Sequence, residues 1–225
     1  MRIVFQQELA DIEQGLVEIS KLVETSIQRA TQAFETSDVA LAESVMADDD
    51  AIDQKANALD ELAIEILARQ SPVARDLRIV VSALRISASL ERMGDIAAHI
   101  AQLARLRFPE KVGPASVREA LLEMGRHDVA IAGRLVALID TQDDAIAEEI
   151  KSADDAIDAL HKSVFDGLLA ADLDAEAVQV VDATLASRYH ERFADHAVSI
   201  AKKIQYLTHG DWIIDGNEKP GIEQA

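Results

Sequence analysis

The chain has 225 residues, enough to bury a core in one domain or in two small ones. Its 22 Lys and Arg against 41 Asp and Glu give a formal net charge of −19, which disfavours nucleic acid, because binding phosphates requires clustered cations. The absence of cysteine excludes disulfides and thiolate metal sites, and the apolar runs are too short to cross a bilayer, so we predict a cytoplasmic protein that reaches membranes only through partners.

The first half of the chain predicts three long helices. Apolar residues at steps of three and four predict a helix over 5–35 and, after a polar turn, a second helix that ends near residue 70. Ser71 and Pro72 are typical of a cap followed by proline at the first helical position. They predict a third helix that runs to about residue 108.

The second half predicts three more helices. Proline and glycine between 109 and 114 break the chain, and Ser116 with Glu119 predicts a capping box that opens the fourth helix. The predicted ranges are 116–140, then a fifth helix that begins at Thr141 to Asp144, then a sixth from about 172–174 to His209, with Gly210 favouring a left-handed cap.

The two halves are related by duplication. Residues 35–53 match residues 140–158 at ten of nineteen positions, and residues 87–101 match residues 187–201 at seven of fifteen. The fold class that this predicts is all-α, with two tandem homologous three-helix bundles. The predicted boundaries are 1–109 and 115–210 for the two repeats, and 211–225 for a flexible C-terminal tail.

Each half carries two pairs of acidic residues spaced four apart, which places both carboxylates of a pair on one helix face. The pairs are Asp49/Asp53 and Glu91/Asp95 in the first half, and Asp154/Asp158 and Glu191/Asp195 in the second. Spacing puts Asp49 and Asp154 on the apolar stripes of the second and fifth helices, and it puts Glu91 and Asp95 on a stripe of the third helix that runs from Val81 through Ala88 to Ala98. An unpaired carboxylate on such a core-facing stripe is costly. Four oxygen donors from two helices therefore predict a hard divalent or trivalent cation, Mg²⁺, Mn²⁺ or an iron ion, in each half.

Two other interpretations of the acids stay open, a solvated acidic surface and ion pairs with Arg92, Arg188 and Arg192. The histidines near the acids are candidate outer ligands or structural residues. They are His99, His161, His190 and His196.

The sequence predicts neither catalytic residues nor an organic cofactor. None of the six histidines follows a glutamate by three positions, so the Glu-x-x-His signature of di-iron oxidases is missing. Phosphate-binding glycine loops and nucleophile elbows are missing too. A metal-dependent, carboxylate-bridged helical enzyme remains the alternative function, and a purely structural scaffold is a third. Arg75, Arg78 and Arg85 form the densest basic patch, which suits either phosphate or internal ion pairing.

Two stretches resemble the PhoU family of accessory and regulatory proteins in phosphate-specific transport: RQSPVARDLRIVVSALRISASLERMGDIAAHIA and ERFADHAVSIAKKIQYLTHG. The resemblance extends over nearly the whole chain to Gly210. It implies two three-helix bundles, often in a homodimer, whose Glu/Asp-x-x-x-Asp motifs hold single metal ions or multinuclear clusters. It also implies negative control, in which the protein links the ATPase-driven phosphate ABC transporter to a sensor histidine kinase and keeps phosphate-starvation genes silent.

The second acidic motif departs from that family's pattern. Phe193 and Ala194 replace the usual Ile-Gly, and Arg188, Tyr189 and His190 make its approach bulkier and more polar. These departures predict that the second site binds metal less tightly, or binds a different metal.

Overall fold

The computed structural model describes residues 2–170 and 173–209, which form six helices without a strand in those ranges. The helices are α1 (Arg2–Thr36), α2 (Val39–Gln70), α3 (Ala74–Arg107), α4 (Ala115–Thr141), α5 (Asp144–Leu168) and α6 (Ala177–His209). The predicted all-α fold is confirmed. The predicted tail and the cap at Gly210 lie outside the described residues. None of the six helices is both long enough and apolar enough to span a bilayer.

The helices pack as two bundles of three. Within the described ranges, α1, α2 and α3 contact one another, α4, α5 and α6 do the same, and the bundles meet where α1 packs on α4 and α3 packs on α6. The four helices α1, α3, α4 and α6 therefore form the centre of the molecule. In the same ranges α2 and α5 contact only helices of their own bundle. Each outer helix carries one acidic pair of its repeat.

Some helix starts differ from the prediction. Ser71 adopts a left-handed conformation with φ 46° that ends α2, and α3 begins after Val73, so Pro72 is not its first helical residue. A residue before proline is disfavoured in the right-handed helical region, which explains why α2 ends before Ser71. Val73 after the proline is extended, so Pro72 belongs to the turn and not to α3. At α4, the helix begins at Ala115, which places Ser116 inside the helix and prevents the predicted capping box.

Two other starts were also shifted. The fifth helix is capped by Asp143, whose carboxylate accepts a hydrogen bond from the backbone N–H of Ala145, because Thr141 still belongs to α4. The sixth helix begins at Ala177, later than predicted. Both outcomes keep the six-helix order and change only where the turns lie.

The apolar stripe of α3 was assigned one residue away from the true core face. The predicted stripe from Val81 through Ala88 to Ala98 is partly exposed, whereas Val80 and Leu90 are fully buried. The observed core face contains the following residues: Val80, Ala83, Ser87, Leu90, Gly94, Ala97 and Ala101. The spacing of apolar residues does not reveal this core face, because Ser87 and Gly94 interrupt it. Their small size allows α2 to pack closely. The acids of α3 thus lie at the edge of the core, half-buried, and the prediction that they face it was wrong.

The stripes of the outer helices agree with the prediction. Seven residues of α2 are buried at the expected spacing, and Asp49 is the half-buried acid among them. The same holds for α5, where Asp154 interrupts a run of buried Ala, Ile and Val. An acid on each core stripe is therefore a real feature of both repeats.

Buried polar contacts that sequence spacing missed lie near the boundary between the bundles. Asp182 of α6, which is 3% exposed, accepts two hydrogen bonds from the guanidinium of Arg107 at the end of α3. Asp128 of α4 and His190 of α6 are both buried and lie 2.7 Å apart, with Phe34 of α1 edge-on to the imidazole. The boundary is thus partly stabilised by buried ionisable side chains, and removing one member of such a pair would leave the other without a partner.

Candidate metal centre

The acids of the first repeat converge in the groove between α2 and α3. Asp53, Glu91 and Asp95 each offer one carboxylate oxygen, and these three atoms lie within 4.8 Å of one another. All three residues are half-buried. Asp49 lies one turn before Asp53 and raises the local negative charge further. We call these four residues the first cluster; their role as metal ligands stays a prediction.

Gly94 brings the two helices close enough for this convergence. A Cβ atom at this position would lie 2.9 Å from Cδ1 of Ile52 and 3.0 Å from Oδ1 of Asp49. The first contact is shorter than Cβ atoms show in proteins and the second is at the tight end of the observed range, so the ends of the Ile52 and Asp49 side chains would have to shift. Glycine therefore positions the Asp49 carboxylate beside α3.

Replacing Gly94 with alanine is expected to lower Mn²⁺ affinity about tenfold, because the new methyl group displaces the Asp49 carboxylate. The free energy of unfolding should fall by about 0–2 kcal/mol, since a helix-propensity gain of about 1 kcal/mol offsets only part of an overpacking cost of about 1–3 kcal/mol. Titration calorimetry and chemical denaturation measure the two effects. The control is Ala194→Gly in the second repeat, which should leave Mn²⁺ binding at the first cluster unchanged; an unaltered affinity in Gly94→Ala would contradict the packing argument.

The first cluster has too little positive charge of its own. The pKa of Asp49 is raised from 3.8 to about 6. Burial is the largest cause, and the negative charges of Asp95, Asp53 and Glu91 add to it. Burial also raises the pKa of Glu91. In addition, Oδ1 of Asp49 and Oδ1 of Asp53 are buried without a hydrogen-bond partner. Such oxygens are stabilised by a proton or by a cation.

The metal-free protein should become less stable as the pH rises from about 4 to about 6. The pKa of Asp49 and of Asp154 is about 6 in the folded state, against 3.8 ordinarily, so the folded state holds protons that the unfolded state releases. The loss of stability that ionisation causes is complete above about pH 6. Thermal melting across this pH window measures it, and the variant Asp49→Asn should flatten part of the slope; a slope of opposite sign in metal-free wild type would contradict it.

Arg92 provides only partial compensation. Its Nη1 lies 2.9 Å from Oδ2 of Asp95 and its Nε lies 3.4 Å from Glu91, but the side chain is 60% exposed. Exposed ion pairs contribute little, about 0–1 kcal/mol. One exposed arginine leaves the buried oxygens of Asp49 and Asp53 without a partner, so ion pairing alone does not satisfy the first cluster.

The acids of the second repeat are arranged more loosely. Burial is the largest cause that raises the pKa of Asp154 to about 6, and the negative charges of Asp158 and Asp195 raise it further. These carboxylates are therefore still neighbours. However, Asp158 and Asp195 are exposed, and Glu191 forms an ion pair with Arg188. Across residues 2–170 and 173–209 no other trio of donor atoms matches the spacing found in the first cluster. We call Asp154, Asp158, Glu191 and Asp195 the second cluster.

Only part of the predicted crowding at the second cluster is present. Arg188 does reach Glu191, but Tyr189 stacks on His99 of α3 with ring centroids 5.3 Å apart, and His190 is buried against Asp128. Tyr189 and His190 thus face the boundary between the bundles and not the acids. The prediction that these two residues approach the acids was wrong, because adjacent helical residues point in directions about 100° apart.

The candidate outer ligands also have other contacts. His99 and His190 pack at the boundary between bundles, as described above. Nδ1 of His161 lies 2.7 Å from Oγ of Ser187, although its charge also influences Glu191. His196 is half-buried, and burial lowers its pKa. The contacts of these histidines favour structural roles.

Three polar residues beside the first cluster were not predicted. Asn57 and Asp60 of α2, with Ser87 of α3, line a cleft of about 250 Å³ that also contains Asp53 and Glu91. Asn57 and Asp60 continue the spacing of the acidic pair on α2, and Ser87 lies one turn before Glu91. Extending the pair on α2 by two turns and the pair on α3 by one turn would have found them.

The basic patch at the start of α3 forms no ion pair with a described carboxylate. Internal ion pairing, one of the two interpretations of Arg75, Arg78 and Arg85, is therefore not observed among the described residues. Nε of Arg78 is buried without a hydrogen-bond partner. Arg85 lies near Lys203 and helps to lower its pKa, after burial.

The fold and these clusters define a class of all-helical, duplicated proteins that carry carboxylates in the groove between two helices of each bundle. A family model described as PhoU domain matches this chain twice, at residues 16–104 and 121–204. These matches cover most of both bundles, and the chain belongs to the PhoU family.

Relatives of known name agree with the family assignment. The chain is 37% identical over 210 residues to the phosphate-specific transport system accessory protein PhoU homolog 2 of Mycobacterium tuberculosis. The matched region covers 93% of this chain and 99% of that protein. It is 36% identical over 212 residues to PhoU homolog 1 of Mycobacterium leprae, with 94% and 96% coverage.

Solved structures agree as well. The crystal structure of PhoU from Pseudomonas aeruginosa superposes with a TM-score of 0.85 at 29% identity, over 92% of this chain and 100% of that one. The phosphate transport system regulatory protein PhoU from Streptococcus pneumoniae gives 0.78 at 27% identity, over 93% and 99%. The predicted family and fold are confirmed.

Proposed function

We propose that this protein is a metal-binding regulator of phosphate uptake that exerts negative control over the phosphate-starvation response. Its partners are the ATPase subunit of a phosphate ABC transporter and a sensor histidine kinase, and it acts as a homodimer in the cytoplasm. Membership of the PhoU family and the names of its relatives support the role in phosphate transport. The convergence of Asp53, Glu91 and Asp95 within 4.8 Å is the single observation that supports metal binding.

The residues of the first cluster suit a hard cation. Every donor is a carboxylate oxygen, which Mg²⁺, Mn²⁺ and iron ions accept, and two of the oxygens are buried without a partner. A bound cation would supply the positive charge that these acids lack. Asp49 and Asp53 would hold it from α2, and Glu91 and Asp95 from α3. Asp95 would then exchange its contact with Arg92 for the cation, which frees an exposed guanidinium on the surface of α3.

The proposed role is non-enzymatic. The relatives reported above are named as accessory or regulatory proteins rather than as enzymes. The carboxylates of the first cluster lie in an open groove, and no described histidine joins the three donors of that cluster. We therefore favour a regulatory cation site over a carboxylate-bridged oxidase or a phosphohydrolase.

A reporter of the phosphate-starvation response tests this function in a strain that lacks the gene. In phosphate-rich medium the wild-type protein should silence the reporter, and the triple variant Asp53→Ala, Glu91→Ala, Asp95→Ala should fail to do so. The matched control is Glu61→Gln, which removes an exposed charge of α2 outside the cluster.

Two results would contradict the proposal. A reporter that stays silent without the gene would exclude negative control. A triple variant that binds no metal by elemental analysis, yet silences the reporter fully, would exclude the metal from regulation.

A further inference from the structure

We propose that the outward faces of α3 and α6 together form a docking surface for an acidic, amphipathic helix of a partner protein. We call this surface the α3–α6 face. Its cations include Arg85, Arg192 and Lys203, and its exposed aliphatic residues include Val81 and Leu185. The inference goes beyond the proposed function, because it assigns the surface that a partner contacts, and it does not require a bound metal.

The two helices run antiparallel in a fixed register. Near one end, Arg107 of α3 donates a hydrogen bond to Asp182 of α6, and further along His99 of α3 stacks on Tyr189 of α6. Residue numbers therefore rise along α3 where they fall along α6. The outward faces of the two helices lie side by side over this length.

Cations of both helices meet on this face. Two turns beyond the stacked rings, the register places Arg92 opposite His196, and two turns further it places Arg85 opposite Lys203. Burial is the largest cause that lowers the pKa of Lys203, and the charge of Arg85 lowers it further. Burial is also the largest cause that lowers the pKa of His196, and Arg92 is among the cations that add to it. The electrostatic contacts thus agree with the register.

The α3–α6 face is basic although the chain is acidic. The whole chain has 22 Lys and Arg against 41 Asp and Glu. Between Leu77 and Leu106 of α3, the exposed residues include three arginines and no acid. Between Val178 and Lys202 of α6, they include a single acid, Asp195. A basic surface on a protein of net charge −19 attracts acidic partners that the rest of the molecule repels.

Several cations of the face lack an anion. Among the described residues, Arg85 and Arg192 form no ion pair with a carboxylate, whereas Arg92 does. The ammonium of Lys203 donates to Oγ and to the carbonyl oxygen of Ser199, at 2.6 and 3.1 Å, and to no described acid. Cations held close together repel one another. Carboxylates of a partner would remove that repulsion.

Aliphatic side chains lie at both ends of the face. Leu77 and Val81 of α3 are exposed at one end, and Val181 and Leu185 of α6 are exposed at the other. Val81 and Val181 occupy the same position in the two repeats. Because both are exposed, packing of the core does not explain this identity. A cationic centre between aliphatic ends suits a helix that carries acids in its middle and apolar residues near its termini.

The shape of the face favours a single helix over an anionic bilayer. The first cluster lies on the α2 side of α3, and the second cluster lies on the α5 side of α6. A flat bilayer would meet these acids as well as the cations, whereas a helix about 10–12 Å wide follows the cations alone. Val81 and the position opposite Leu185 are about 33 Å apart along α3, the length of a helix of about 22 residues.

A designed peptide tests the docking surface on the full-length protein. The probe is a fluorescein-labelled helical peptide of about 22 residues with glutamates along one face and leucines near both ends. Fluorescence anisotropy should show that it binds wild type, and that its glutamine analogue binds at least about tenfold more weakly. The variant Arg85→Glu, Arg192→Glu should weaken the acidic peptide about tenfold or more, because attractive pairs become repulsive. Val81→Ser, Leu185→Ser should weaken it as well.

The matched control reverses two charges elsewhere. Lys21→Glu, Lys162→Glu changes exposed lysines of α1 and α5 and gives the same net charge as Arg85→Glu, Arg192→Glu. This control should bind the acidic peptide like wild type. Thermal melting of Arg85→Glu, Arg192→Glu should not fall below wild type, because the two arginines form no described ion pair that folding would lose.

The reporter of the phosphate-starvation response tests the surface with the natural partner. Arg85→Glu, Arg192→Glu should bind Mn²⁺ like wild type in elemental analysis and yet fail to silence the reporter, while Lys21→Glu, Lys162→Glu should silence it.

Each contrary result identifies what is wrong. Equal binding of the acidic peptide and its glutamine analogue, or full silencing by Arg85→Glu, Arg192→Glu, would overturn the docking surface and leave the metal-binding proposal intact. Phosphatidylglycerol vesicles that bind wild type in preference to the peptide would replace the partner helix with a lipid surface. Peptide binding as expected in a protein that binds no Mn²⁺ would support the docking surface and contradict the proposed metal function.

Discussion

Replacing His190 with alanine is expected to lower the free energy of unfolding by about 3–5 kcal/mol. His190 is the only described side chain that contacts the carboxylate of Asp128 within hydrogen-bond distance, at 2.7 Å, and both residues are buried. Burial raises the pKa of Asp128 to about 6, and the histidine offsets part of that rise. Without the imidazole, the Asp128 carboxylate either stays charged in an apolar interior or takes up a proton, and both outcomes cost free energy. Urea denaturation at neutral pH measures the loss.

The duplication suggests the matched rescue. The positions that correspond to Asp128 and His190 in the first repeat are Val23 and Leu90, both fully buried. The double variant Asp128→Val, His190→Leu should recover wild-type stability or exceed it by about 1–4 kcal/mol, because an apolar pair of similar volume has no charge to desolvate. A double variant as unstable as His190→Ala would contradict this explanation, because that variant contains no carboxylate that could be left without a partner.

Mn²⁺ should stabilise the wild-type protein by about 2.7 kcal/mol at a free concentration one hundred times its dissociation constant. The first cluster should account for most of this effect, since its donor oxygens are within 4.8 Å and its buried oxygens lack partners. The variant Asp53→Ala, Glu91→Ala should therefore lose the Mn²⁺-dependent rise in melting temperature. Calorimetric melts with and without Mn²⁺ measure it.

The second repeat again offers the control. Asp158→Ala, Glu191→Ala should retain most of the Mn²⁺-dependent rise, because these acids are spread more widely and Glu191 already pairs with Arg188. An equal loss in both double variants would show that the two clusters bind Mn²⁺ alike. A wild-type protein whose melting temperature ignores Mn²⁺ would leave the first cluster without its proposed ligand.

Much of the fold could be predicted from the sequence, because duplication and helical spacing are local signals. Ten identities between residues 35–53 and 140–158, together with the Pro/Gly break, were enough to predict two homologous three-helix bundles. The position of Asp49 on the core stripe of α2 also followed from spacing. These features depend on residues close together in the chain.

The rest depends on contacts between distant residues or on small side chains. Asp128 pairs with His190 across 62 positions, and Arg107 with Asp182 across 75, and spacing within one helix indicates neither. Ser87 and Gly94 belong to the core face of α3 because of their size, which a search for apolar residues overlooks. The same oversight placed the predicted apolar stripe of α3 one residue away from the core face.

The peripheral position of α2 and α5 has a consequence for how the two repeats evolve. Among the described residues, each of these helices contacts its own bundle alone, so a substitution on its outer turns needs no matching change in the other half. Selection can therefore alter one set of carboxylates while the central four helices keep their sequence constraints. The second repeat has Phe165 where the first has Asp60, and Lys162 where the first has Asn57, which are differences that this independence allows.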